Sequence, residues 1–205
     1  MRRAKYLWRA AMKNAAMTYF AFLRAVNVAG HQPVAMADLR SMLAAIGMDE
    51  PQSVLQSGNL IFRSSAKRTD DLESLLEREA AKRLALKTDF MVRSADELAA
   101  IVSTNPFRPE AKSDPGHLVV LFCKAEADKK RVSELAASIT GREKVRAKGK
   151  QLYIFYADGI GRSRLTNAVI ERKIGTPGTG RNWNTVLKLA GLCETSPVRT
   201  SSRAD

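Results

Sequence analysis

The sequence predicts an α+β protein made of two ferredoxin-like halves in tandem, each a βαββαβ unit followed by a helix. The first observation behind this prediction is an apolar content of 45% over 205 residues, which suffices for a core in one or two domains. The second is the alternation of short β-rich runs with helical patterns, in the order typical of the split βαβ unit. The third is that the second half of the chain repeats this order, although the two halves barely resemble each other in sequence.

The first half is predicted over residues 18–104 from apolar periodicity, turn residues and helix caps. In chain order its elements are a strand over 18–24, a helix over 36–46 that ends at Gly47, strands over 53–56 and 60–63 joined by a Gly58-Asn59 turn, a helix beginning at Thr69, a strand over 89–93 and a helix over 94–102. Ser94 and Glu97 have the spacing of a capping box, which marks the start of the last helix.

The second half is predicted over residues 117–193, after a linker over 105–116. In chain order its elements are a strand over 118–124, a helix over 128–139, strands over 144–147 and 151–156 joined by a Lys148-Gly149 turn, a helix over 163–174 that ends at Gly175, a short strand through 181–183 and a helix capped by Asn184. The side chains predicted to be buried in the two halves are Phe20, Phe22, Leu39, Leu43, Leu60, Phe62, Leu118, Val120, Phe122, Leu152 and Ile154.

The two ends of the chain lie outside the repeated pattern. Residues 1–17 hold five basic residues and no acid, on one side of an amphipathic helical pattern. This pattern is typical of a membrane-surface helix or of an organelle transit peptide, and a true translation start at Met17 is an equal alternative. Residues 194–205 are polar and aperiodic, and they are predicted to be disordered.

The composition excludes several classes of protein. No apolar run reaches the roughly 18–20 residues that a membrane-spanning helix needs. Cys123 and Cys193 stand 70 positions apart and form no C-x-x-C pair, so we expect two buried thiols and neither a zinc site nor a dithiol centre. No secretory signal pattern is found, and a cytoplasmic protein is predicted. No metal or cofactor is predicted, and the oligomeric state is left open.

Five segments carry a resemblance to a known family. They are TYFAFLRAVNVAGH, VLQSGNLIF, NPF, GIGRSRLTN and TGRNWNTVLKLAGL, which in order and spacing resemble the DUF1697 family of bacterial proteins. The resemblance extends over roughly residues 18–192, and it implies two ferredoxin-like halves and no activity, because the function of that family is unknown. Ala25 and Ala29 stand where the family usually has glycines, which weakens any role that needs close backbone approach in the first loop.

Three clusters of polar residues are candidate ligand sites. At strand ends of the first half, amides and a guanidinium converge on one rim of the sheet, and the residues there are Arg24, Asn27, Gln56, Ser57 and Asn59. In GIGRSRLTN, Arg162 and Ser163 join backbone N–H groups at a predicted helix start, which suits a phosphate. The third cluster, in TPGTGRNWNT, comprises Arg181, Asn182, Asn184 and Thr185.

Turns and helix caps are the alternative explanation of all three clusters, with Ser163 and Asn184 as N-caps. Arg181 exceeds what capping requires, because Asn184 can cap the last helix alone. We therefore expect Arg181 to hold either an anionic ligand or a carboxylate of the first half.

The net charge of +13, from 34 Lys and Arg against 21 Asp and Glu, favours an anionic partner. The leading hypothesis is a binding protein for an anionic or phosphate-bearing ligand, nucleic acid included, although no segment matches the RNP1 pattern of RNA-binding domains. An enzyme acting on a small anionic metabolite and a self-associating or adaptor module remain alternatives. His31 and His117 are the only histidines, and no hydrolase or paired-carboxylate signature is found.

Deleting residues 1–16 is expected to leave the fold intact, because this segment lacks acids and precedes the first strand. The melting temperature of the truncated protein, followed by circular dichroism, should equal that of the full chain within error. A large loss would show that Leu7 and Trp8 pack on the core.

Overall fold

The computed structural model describes residues 16–24, 34–55, 58–66 and 68–194; the predicted N-terminal helical pattern and the tail beyond 194 lie outside them. The strands are β1 (Met17–Leu23), β2 (Asp49–Ser53), β3 (Asn59–Ser64), β4 (Phe90–Ser94), β5 (Leu118–Cys123), β6 (Lys144–Lys148), β7 (Gln151–Phe155) and β8 (Gly178–Asn182). The α-helices are α1 (Met36–Ala45), α2 (Thr69–Leu84), α3 (Ala95–Ser103), α4 (Arg108–Ser113), α5 (Lys129–Ala137), α6 (Asn167–Ile174) and α7 (Trp183–Glu194). Within these residues, no helix combines the length and the apolar character that a membrane span requires.

The strands form two four-stranded antiparallel sheets with the same topology. Their orders are β2-β3-β1-β4 and β6-β7-β5-β8, so the first strand of each half lies in the middle of its sheet. In the register, Phe20 of β1 lies opposite Arg93 of β4, and Val120 of β5 lies opposite Arg181 of β8. The predicted α+β class and the tandem arrangement of two ferredoxin-like halves are confirmed.

Successive side chains along each strand point to opposite faces of the sheet, and the apolar ones form three separate clusters. Tyr19, Ala21 and Leu23 of β1 pack with residues of α1 and α2, whereas Phe20 and Phe22 point to the other side, into a cluster shared by both sheets, α3 and α7. A third cluster lies between the second sheet and helices α5 and α6. All eleven side chains predicted to be buried are at most 1% exposed.

The two sheets face each other through the shared cluster. The rings of Phe22 and Phe122 stack at its centre, with their centroids 4.0 Å apart and their planes 14° from parallel. Each of the two sheets therefore has one face on its own helices and one face toward the other half.

Two strands lie away from their predicted positions. Strand β2 spans 49–53 rather than 53–56; it contains Pro51, which an edge strand tolerates because one side of its backbone is unpaired. Strand β8 begins at Gly178, three residues before its predicted start. The linker predicted over 105–116 contains helix α4 and part of a 3-10 helix over Pro115–His117, neither of which was expected from the sequence.

Two predicted helix caps are wrong, and a neighbouring polar residue caps in each case. Helix α6 begins at Asn167 with Thr166 as its N-cap, and Ser163 lies in the preceding turn. Helix α7 begins at Trp183, and the side-chain oxygen of Asn182 accepts the N–H of Asn184 at 3.0 Å. The predicted capping box of Ser94 and Glu97 is confirmed.

The glycine at the start of β8 is required by close packing against β5. A Cβ atom on Gly178 would lie 3.0 Å from Cγ of Leu121 and 3.1 Å from the carbonyl oxygen of Phe122. The backbone oxygen cannot move without disturbing the sheet.

We expect Gly178→Ala to lower the free energy of unfolding by about 1–3 kcal/mol, because the added methyl group overpacks this contact. Urea denaturation followed by circular dichroism measures the change. Gly161→Ala is the matched control, because a Cβ there meets no atom within 4 Å; its free energy of unfolding should be unchanged or slightly higher. Equal effects of the two substitutions would contradict the close-packing explanation.

Candidate functional site

Two buried arginines at equivalent positions of the two halves lie beside the stacked phenyl rings. The guanidinium carbon of Arg93 is 5.8 Å from the ring centroid of Phe122, and that of Arg181 is 5.6 Å from the ring centroid of Phe22. Each arginine thus contacts the aromatic ring of the opposite half, at the distance of a cation–π contact.

All five N–H groups of Arg181 donate hydrogen bonds. The acceptors are Asn59 Oδ1 at 2.5 Å from Nε, Thr179 Oγ1 at 2.7 Å and the Gly180 carbonyl at 2.9 Å from Nη1, and the carbonyls of Leu23 at 3.0 Å and Gly58 at 3.2 Å from Nη2. Burial lowers the pKa of Arg181 to about 10. The acceptors are neutral oxygens, where a carboxylate or an anion was expected from the sequence, and no donor remains for a ligand.

Arg93, which belongs to the first half, makes the equivalent contacts with backbone carbonyls of the second half. Its Nη2 donates to the carbonyls of Cys123 at 2.8 Å and Lys150 at 2.7 Å, the positions equivalent to Leu23 and Gly58. Arg93 is 2% exposed, and burial lowers its pKa. Unlike Arg181, it lies near a carboxylate, since its Nη1 is 3.7 Å from Oε1 of buried Glu73.

A second reciprocal pair of contacts lies at the rim of the interface. Arg24 donates from Nε and Nη2 to the two carboxylate oxygens of Glu171, at 2.9 and 2.6 Å. The equivalent residue, Lys124, donates to Glu77 and lies 3.1 Å from Oε2 of Glu73. Burial lowers the pKa of Lys124, but the two carboxylates together raise it by more, so the pKa lies above its ordinary value. The hydrogen bond to Glu171 raises the pKa of Arg24.

The first predicted cluster therefore contributes to the interface between the halves. Arg24 and Asn59 both contact second-half residues there, and Asn59 also donates to the carbonyl of Val54 at 3.0 Å. Asn27, Gln56 and Ser57 lie outside the described residues, so their relation to this interface stays a prediction.

A pocket of about 450 Å³ lies at one end of the second sheet, on its helix side. It is lined by the loop after α5, the end of β7, the segment before α6 and α6 itself: Ser138, Ile139, Thr140, Gly141, Glu143, Tyr156, Asp158, Gly159, Arg162, Ser163, Arg164, Leu165, Val169 and Lys173. Arg162 and Ser163, which the sequence predicts as one ligand site, both line it.

Three cations of this pocket form no ion pair within the described part of the chain. The side chains of Arg162, Arg164 and Lys173 make no hydrogen bond or ion pair there. Of the two pocket carboxylates, Asp158 accepts a hydrogen bond from Nη1 of Arg142 at 2.9 Å, whereas Glu143 accepts one from the neutral hydroxyl of Ser163. Within the described residues, the pocket therefore combines three cations that form no ion pair with one carboxylate that pairs with no cation, which leaves an excess of positive charge beside a fixed hydroxyl group.

The third predicted cluster is divided between two roles. Arg181 belongs to the interface, and Asn182 joins two backbone segments by donating to the carbonyl of Gly116 at 2.6 Å while capping α7. Asn184 is exposed and Thr185 is half-buried in the first turn of α7, and neither lines the pocket.

Catalytic and metal-binding groups are sparse in the part of the chain that the structure describes. His117 lies with Nδ1 2.7 Å from Oδ2 of Asp114, and both side chains are exposed. No group of three or more His, Cys, Asp or Glu side chains there is arranged to hold a metal ion. Burial raises the pKa of the Cys123 thiol to about 12, so this cysteine is a poor nucleophile.

We expect Arg181→Ala to lower the free energy of unfolding by about 2–4 kcal/mol, because it removes five hydrogen bonds and leaves buried carbonyls with fewer donors. Arg181→Lys should recover less than half of the loss, since an ammonium group cannot reproduce the planar fork. Urea unfolding measures both variants. Arg162→Ala, at an exposed arginine, is the control and should change the value by less than about 0.5 kcal/mol. A loss below about 1 kcal/mol for Arg181→Ala would contradict a role in joining the halves.

Comparison with known proteins identifies a family and a fold. Residues 17–153 match the family described as "Protein of unknown function (DUF1697)". The fold is similar to that of conserved bacterial protein SP0830 from Streptococcus pneumoniae, with a TM-score of 0.68 and 22% sequence identity over 86% of this chain and 98% of that one. No curated protein matches the sequence. Because the family match extends over about two thirds of its length, the chain belongs to the DUF1697 family.

Proposed function

We propose that the chain binds a phosphate-bearing or otherwise anionic small molecule in the second-half pocket. The observation that carries this proposal is the group of three cations, Arg162, Arg164 and Lys173, whose side chains form no ion pair in the described chain and which surround a concavity of about 450 Å³. This volume falls within the range of about 300–1,000 Å³ that is typical of small-molecule sites.

The chemistry of the three cations suits a phosphate group. A guanidinium matches two phosphate oxygens with parallel N–H donors, and a lysine ammonium adds a point charge. Glu143 and Asp158 add carboxylate oxygens to the same wall. Carboxylates repel a bare multivalent anion but accept hydrogen bonds from hydroxyl groups, so they favour a ligand that carries a phosphate on a hydroxylated body.

The distribution of charge supports an anionic ligand in this half. Residues 117–193 hold 15 Lys and Arg against 6 Asp and Glu, a net charge of +9, whereas residues 18–104 hold 10 against 11, a net charge of −1. The positive potential of the second half concentrates anions near the pocket. Arg24, Asn59 and Arg181 are not part of the proposed site, because their side chains are engaged between the halves.

We expect inorganic phosphate, sugar phosphates and nucleoside phosphates, screened by thermal shift on the full chain, to include stabilising ligands. At about 100 times its Kd, a ligand adds about 2.7 kcal/mol to the free energy of unfolding, a rise in Tm of roughly 5–10 °C for a chain of this size. The double variant Arg162→Ala/Arg164→Ala should weaken the binding at least tenfold by titration calorimetry.

The matched control is Arg172→Ala, which removes an exposed arginine of α6 that does not line the pocket. Its binding should equal that of the unaltered chain. The proposal fails if no phosphate-bearing compound stabilises the protein, or if the control loses as much affinity as the double variant.

A further inference from the structure

A row of five cations, one at every second residue, runs along the edge of the second sheet. The cation row consists of Arg142, Lys144, Arg146, Lys148 and Lys150. Its middle three residues belong to β6, which pairs with β7 and lies at one edge of the sheet formed by the described strands. Side chains two apart on a strand lie on one face about 6.8 Å from each other, so these three form a straight line of positive charge.

The three β6 cations of the row face away from the proposed phosphate pocket, whereas Arg142, at one end of the row, pairs with the pocket residue Asp158. Val145, between Lys144 and Arg146, is 2% exposed and packs with the helices that cover the pocket side of the sheet. The three cations of β6 therefore lie on the opposite face. A ligand held along this face and a ligand held in the pocket contact different side chains.

The charges of the row are only weakly compensated. Arg142 pairs with Asp158 at 2.9 Å, Lys144 with Glu110 at 2.9 Å and Lys150 with Asp70 at 2.5 Å. Solvent-exposed pairs of this kind contribute little free energy and exchange readily for other anions.

The centre of the row is not compensated at all in the described part of the chain. The side chain of Arg146 donates only to the carbonyl of its neighbour Val145, and the side chain of Lys148 has no acidic partner there. Both side chains are exposed.

Protection of a sheet edge does not require such a row. The equivalent edge strand of the first half, β2, reads DEPQS and contains no Lys or Arg, and Pro51 serves there to prevent edge-to-edge pairing. One or two charges on β6 would achieve the same effect. Alternating cations through the strand and at both of its ends indicate a partner whose negative charge repeats along an extended line.

An aromatic side chain lies on the same face as the row. Phe155 of β7 is opposite Lys144 in the register, is only half-buried, and has the Nζ atom of Lys144 6.0 Å from its ring centroid. Positive charge beside an accessible aromatic ring is the combination that binds single-stranded nucleic acids, through phosphate contacts and base stacking.

We propose that the cation row binds the backbone of a single-stranded nucleic acid without reading its sequence. The phosphodiester backbone supplies one negative charge per nucleotide along an extended chain, and a single strand, unlike a duplex, has unpaired bases that can stack on Phe155. An acidic peptide is the competing occupant, and it lacks a planar base to stack on Phe155. The proposal does not depend on the small-molecule pocket.

The test is fluorescence anisotropy of a labelled 20-nucleotide oligothymidine with the full chain over a series of salt concentrations. Three to five phosphate contacts predict a slope of log affinity against log salt between about −2 and −3.5. The variant Arg146→Glu/Lys148→Glu should weaken binding at least tenfold and make the slope shallower by about 1.4. Arg146→Gln/Lys148→Gln, which adds no acid, should weaken binding by a smaller factor.

The matched control is Lys82→Glu/Lys87→Glu, which makes the same change in net charge at two exposed lysines of the first half. It should retain the affinity and the slope of the unaltered chain, and Arg162→Ala/Arg164→Ala should also retain oligothymidine binding. An equal loss of affinity in the Lys82/Lys87 control would show that binding depends on net charge and not on the cation row, and it would overturn the proposal. Absence of binding at low salt, tighter binding of a duplex of equal length, or equal competition by polyglutamate would also overturn it.

Discussion

The interface between the halves depends on two guanidinium groups buried with few or no counter-charges. A buried charge is costly unless its donors are satisfied, and Arg181 achieves this with five neutral oxygens from both halves. Those oxygens converge only when the two sheets stand in one register, so the hydrogen bonds select a single relative position of the halves. The rings of Phe22 and Phe122 bury apolar area at the interface, and the directional hydrogen bonds of the two arginines fix the relative position of the sheets.

The contacts between the halves occupy polar groups at the ends of the central strands, and this determines where ligand-binding groups remain available. In each half the rim that carries Arg24 or Lys124 is engaged with a carboxylate of the other half. Polar groups that could line a cleft between the sheets are instead paired with each other across the interface. The cations of the second half that form no ion pair in the described chain lie instead at the periphery, around the pocket of Arg162 and along β6.

The sequence predicts the alternating core and the order of elements well, because apolar periodicity depends on residue type alone. It marks Arg181 as a residue that needs a partner, but carbonyl acceptors such as that of Leu23 belong to the backbone and leave no trace in the residue pattern. The sequence does not mark Arg93 as an interface residue, because a basic residue within a short strand is normally interpreted as solvent-facing. Its equivalence to Arg181 follows only from the strand register. Arg164 and Lys173 join Arg162 only when α6 folds back on the loop.

The reciprocity of the interface distinguishes it from the rest of the surface. Each half carries both members of its main contacts: a buried arginine and the carbonyls that accept from the other arginine, a rim cation and a rim carboxylate, and one phenyl ring of the stacked pair. These shared contacts run in both directions between the halves, which is the arrangement found between the subunits of a closed homodimer. Because both halves belong to one chain, they need not be identical outside these contacts. Their net charges, −1 over residues 18–104 and +9 over residues 117–193, give the two halves opposite electrostatic character around an interface of matching contacts.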